Sequence, residues 1–96
     1  MSKRTKLIQY GFKQSFDVEA TFIESVPVLE EFGGQVVWEG VVDVFAIQGH
    51  PHANRGYGWE YEENGEKQTA TILGVHPVDS PLAAVRAFIV SQAKPK

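Results

Sequence analysis

The chain contains no cysteine. That excludes a disulfide framework, a thiolate nucleophile, a cysteine-ligated zinc and an iron–sulfur cluster. No apolar run exceeds four residues, Ala87–Val90 being one of that length, which falls far short of a membrane span or a signal-peptide core. A cytoplasmic location and no membrane partner are the expectations. Internal repeats are missing as well, so a solenoid is excluded. Neither G-x-x-x-x-G-K-[ST] nor a G-x-G-x-x-G in a strand-to-helix setting occurs, and Ser15, Ser25, Ser80 and Ser91 lack a G-x-S-x-G context. Phosphate-loop chemistry and a nucleophile elbow go with them.

What is present is 96 residues, 43% of them hydrophobic. A chain this size buries roughly two thirds of its unfolded surface, enough for one core. A single domain over 1–96 is expected, with 1–6 and 95–96 as disordered tails. The charge is segregated. Lys3, Arg4, Lys6, Lys94 and Lys96 sit at the two ends, and the body between them holds four bases against twelve acids, a balance of −8. An acidic body repels phosphate, so nucleic acid is not the expected partner, although the basic ends leave weak polyanion binding as an alternative.

From Ile8 to Phe22 apolar residues fill the even positions, Gln14 excepted, which predicts an extended segment with one buried face. The rival is a helix from Val18 to Leu29 capped by Asp17, which Pro27 would interrupt. Pro27–Phe32, followed by Gly33-Gly34, reads either as one helical turn with a glycine stop or as a hairpin arm. Gln35–Gln48 is a strand rich in valine and aromatic residues. Its even face, Val36, Trp38, Gly40, Val42, Val44 and Ala46, is wholly apolar, whereas its odd face mixes Val37, Val41, Phe45 and Ile47 with Glu39 and Asp43. Strands over about 55–63 and 66–76 flank Asn64-Gly65, a hairpin turn that sets Glu62 opposite Lys67, Trp59 opposite Ala70 and Tyr57 opposite Ile72. His76-Pro77 closes the last strand. Ser80 then caps a helix with Pro81 at its first position, running from about 81 to 94 with Leu82, Val85 and Ile89 on one stripe; Lys94 favours its end and Pro95 stops it.

The predicted fold is α+β in two layers: an extended N-terminal segment, an antiparallel meander (35–48, 55–63, 66–76) and a C-terminal helix. A helical front segment would instead give helix, three strands, helix, which resembles the double-stranded RNA-binding domain in element order alone. Val78-Asp79-Ser80-Pro81 stands where that family has a lysine-rich helix start, so neither its function nor its residues carry over.

Three constellations carry candidate chemistry. His50, His52, His76 and Asp79 form the one set with metal-ligand types, on loops a meander brings to one sheet edge; scattered loop histidines more often bind nothing. Tyr57, Trp59 and Tyr61, with Trp38, form an aromatic stripe that could stack on a flat ligand beside His50, His52 and Arg55. A domain this small usually spends such rings on its core. Gly56 and Gly58 flank the stripe and mark a bulge or a close approach. Glu39 and Asp43 lie about 13 Å apart at ~3.3 Å per residue, too far for paired acid–base work, and read as a solvated strand face. No cofactor is indicated. The expected function is a non-catalytic interaction module, homodimeric through an apolar sheet face or edge, because Val37, Val41, Phe45 and Ile47 exceed what one helix can cover and call for a partner or for the N-terminal segment folded over them. The alternative is a small enzyme or carrier on the histidine edge.

Overall fold

The computed structural model describes residues 2–93. Their order is α1 (Lys3–Phe16), β1 (Glu19–Phe32), β2 (Gln35–Gln48), β3 (Arg55–Glu63), β4 (Glu66–Leu73) and α2 (Pro81–Ala93). The strands form one antiparallel sheet in sequential order. The α+β class, the meander and the C-terminal helix are as the sequence predicts, including the pairs Glu62↔Lys67, Trp59↔Ala70 and Tyr57↔Ile72. Asn64 and Gly65 both adopt positive φ in that turn, the conformation such a two-residue hairpin requires. The expected ends at Lys94 and Pro95, and the expected tail at 95–96, lie outside the described residues.

The N-terminal expectations are overturned. Lys3, Arg4 and Lys6 belong to a helix and not to a disordered tail, and the segment after them is helical to Phe16; of the expected extended stretch Ile8–Phe22, only Glu19–Phe22 is strand. Ser2 caps this helix, its Oγ accepting from the Thr5 amide at 3.1 Å, and Asp17 ends it in the left-handed region at φ 53° with its N–H bonded to the Lys13 carbonyl. The alternating pattern misleads because Tyr10 is 64% exposed. The buried residues of α1 are Thr5, Ile8 and Phe12, spaced three and four apart, which is one face of a helix. Asp17 therefore closes α1 and does not open a helix over 18–29. That region is β1, where Pro27 sits on an outer strand that needs no donor on its free side. With four strands between two helices, the element order also departs from the RNA-binding resemblance.

A helix lies on each face of the sheet, so the two expected layers become three. On the α1 side Ile8, Phe12, Val18, Phe45 and Ile47 form one core cluster, with Ala20, Phe22 and Leu73 against it. On the α2 side Val28, Val42, Val44, Tyr57, Trp59, Ala70, Ala84 and Val85 form the other. Strand β1 serves both because its register skips between Phe22 and Glu24. The extra residue, Ile23, reverses the parity: Ala20 and Phe22 face α1, Val26 and Val28 face α2.

Helix α1 comes close to β3 because that strand carries no side chain beneath it. A Cβ at Gly56 would lie 2.7 Å from the Phe12 ring, and one at Gly58 would overlap Ile8 Cγ2. The glycines mark a close approach, and the approaching body is α1. Docking is completed by Asp43, fully buried in β2. Its carboxylate accepts from Arg4 Nη2 at 3.0 Å, Arg4 Nε at 3.2 Å, Thr5 Oγ1 at 3.1 Å and Ser25 Oγ at 2.7 Å. Asp43 is thus no part of a solvated face, because α1 supplies the donors a buried carboxylate requires.

Candidate functional site: the β1–β2 arm

The sheet is not paired along its whole length. Strands β2 and β3 share only Asp43↔Gly58, Val44↔Tyr57, Phe45↔Gly56 and Ala46↔Arg55. From Val42 back to Gln35, β2 has β1 as its only strand neighbour, and from Trp59 onward β3 has only β4. The β1–β2 hairpin therefore extends as an arm, turning at Gly33 and Gly34 with φ of 62° and 79°. This settles Pro27–Phe32 as a hairpin arm. Aromatic side chains bridge the base of the opening. Trp38 lies against Trp59 at 5.7 Å between centroids, and Phe88 of α2 lies against Trp59 at 5.3 Å and Tyr61 at 5.2 Å.

The arm carries apolar side chains that the described residues leave exposed. Phe32 is 80% exposed, and Leu29, Val36, Val37 and Val41 are exposed with it, as is Val90 on α2. Helix α2 flanks part of the arm, its Arg86 meeting Glu30 and its Ile89 and Val90 lying beside Phe32 and Val37, yet Phe32, Val37 and Val90 stay exposed. A second register skip, between Glu30 and Glu31, makes Val37 the extra residue of β2. Val37 lines a groove of about 590 Å³ with Phe32, Ile89 and Val90, and Glu30, Glu31 and Arg86 complete its wall. Arg86 donates from Nε and Nη2 to the Glu30 carboxylate. That contact holds the Glu30 carboxyl below its ordinary range and raises the Arg86 guanidinium. Glu31 makes no ion pair among the described residues. From Glu19 to Gln48 the two strands hold five glutamates and Asp43 and no base.

The other candidates are placed as follows. Tyr57 and Trp59 are buried beneath α2 and Tyr61 is half-buried, so the aromatic stripe is core. Trp59 Nε1 is the one buried side-chain nitrogen or oxygen without a hydrogen-bond partner among the described residues; it sits among rings, which offer at most a weak acceptor face. Strand β4 ends at Leu73 and not at 76, since Gly74 N already bonds the carbonyl of Arg55, the first residue of β3. His76 and Asp79 thus lie in an exposed connection, and His52, on the β2–β3 loop, and Arg55, at the start of β3, are exposed as well. His50 Nδ1 accepts from the His52 and Ala53 amides, both at 3.1 Å, which turns the loop and occupies that nitrogen. Among the described residues no group of three or more histidine, aspartate or glutamate side chains is arranged to hold a metal. At the same sheet end, burial and then the Asp79 carboxylate raise the Tyr57 phenol above its ordinary value, with Arg55 opposing them.

Sequence reasoning found Val37 and Val41 but missed Phe32, Leu29 and Val90, which matter as much to the arm. A signal existed: glutamates interleave with apolar residues on both sides of Gly33-Gly34, as in a hairpin wetted on more than one side. No described helix is long and apolar enough to cross a membrane. Compared with known proteins, the chain matches no family model, no curated protein and no solved structure.

Proposed function

We propose that the chain is a non-catalytic interaction module that binds further copies of itself through the β1–β2 arm. The observation that carries this is Phe32, 80% exposed at the mouth of the apolar groove. Large exposed aromatics of this kind mark binding hot spots, where a rigid ring enters a dry pocket. Val37 and Val90 share the Phe32 groove, Leu29 and Val41 add exposed apolar surface on the other face of the arm, and the arm itself holds no base.

Sedimentation velocity from about 10 μM to about 1 mM, the range of weak self-association, tests the reading. The expected result is a mass that rises with concentration in the natural protein and stays monomeric in Phe32→Ser. A monomer throughout the range in the natural protein would sink it.

A further inference from the structure

On the opposite side of the sheet from the groove, α1 presents a face that complements it. At 100° per residue, Lys3, Lys6, Leu7, Tyr10 and Gln14 fall within one third of the helix circumference, diametrically away from the buried Thr5, Ile8 and Phe12. All five are exposed, Leu7 and Tyr10 prominently so. The helix contains no acidic residue. Its first turn carries Lys3, Arg4 and Lys6, at the end where the macrodipole disfavours cations. Asp43 meets the charge of Arg4, whereas Lys3 and Lys6 make no ion pair among the described residues. Two apolar side chains flanked by two unpaired lysines thus face one way. An apolar groove with the unpaired carboxylate of Glu31, on an arm without bases, faces the other.

Building on the self-association reading above, we propose that the segment entering the groove is the outward face of α1 from a second copy. Leu7 and Tyr10 pack on Phe32, Val37 and Val90, and Lys3 and Lys6 reach Glu31, the glutamate that Arg86 leaves unpaired. This is helix-in-groove recognition with opposite charges setting the register. Because α1 and α2 lie on opposite faces of the sheet, the contact joins two different surfaces. Such a contact does not close at a dimer by two-fold symmetry but joins copies head to tail, into a ring where the rotation closes and an open chain where it does not.

The test is sedimentation velocity over about 10 μM to about 1 mM, at low salt and at roughly 0.5 M salt, where exposed charges are screened. The mass is expected to grow past the dimer at low salt and to fall at high salt. Lys6→Glu, Glu31→Lys and Tyr10→Ser are each expected to lower the association constant about tenfold, equivalent to about 1.4 kcal/mol. Lys6→Glu and Glu31→Lys combined in one chain should recover most of the loss, which a merely weakened fold would not do. All three positions are exposed, and circular dichroism checks that α1 is retained. A closed dimer, or association abolished by Phe32→Ser yet indifferent to Lys6→Glu and Tyr10→Ser, would overturn the α1 assignment and leave the arm reading standing. A monomer under every condition would overturn both.

Discussion

The base of the sheet and its arm are made of the same strand and behave as different materials. From Val42 to Ile47, β2 is buried except at the half-buried Ala46, pairs β1 throughout and meets β3 from Asp43 to Ala46. From Gln35 to Val41 the same strand pairs only β1, and every residue except Trp38 and Gly40 is exposed. Composition does not distinguish them, since valines fill both halves. Coverage does: the two helices bury the base on both faces and leave most of the arm exposed. In the base an apolar residue contributes to the fold; in the arm the same residue stays exposed.

Substitutions at the base should therefore cost stability and those on the arm should not. The largest loss is expected for Gly58→Val, whose side chain would occupy the space of Ile8; overpacking of this kind costs about 3 kcal/mol, read from the urea midpoint. Asp43→Ala strands two hydroxyls and a half-exposed guanidinium, for a loss of about 2 kcal/mol. An Asp43→Ala protein as stable as the natural one would mean that apolar packing alone docks α1. Ser2→Ala removes the α1 cap and is expected to cost about 1 kcal/mol, seen as a lower thermal midpoint.

A pH scan sharpens the contrast from the base's side. The Tyr57 phenol is raised in the fold, so its contribution is fully present below the unfolded value near 10 and is lost as pH rises through the folded one. Alkaline titration of denaturant midpoints should show this decline, and Tyr57→Phe should flatten it. The smallest effect is expected for Phe32→Ser on the arm: within about 0.5 kcal/mol of the natural stability, although self-association disappears. A large loss of stability there would erase the distinction between base and arm.

Much of the base could be read from residue order. Asn64-Gly65 placed the second hairpin and its register, because positive φ at both positions admits few alternatives. Ser80-Pro81 placed the start of α2, with Ser80 Oγ accepting from the Ala83 amide. The front of the chain resisted because Tyr10 and Phe16 alternate with Ile8 and Phe12 as in a strand, while only the last two are buried. In the candidate site Val37 and Val41 were legible as surplus apolar residues. Phe32 was not, since a phenylalanine next to a turn looks the same whether a core receives it or solvent does.

By itself the sequence determined what local chemistry can specify: turns that need glycine or asparagine, caps that need a hydroxyl, an alternating meander and a chain without thiol chemistry. Tertiary structure decided the rest. It made Gly56 and Gly58 a seat for α1, drew Asp43 into a buried set of four hydrogen bonds, reversed the faces of β1 at Ile23 and left the arm uncovered. The physical reason is that burial depends on what arrives from elsewhere in the chain. Whether a valine, a glycine or an aspartate lies inside or outside is fixed by where two helices pack, and no stretch of β2 encodes that placement.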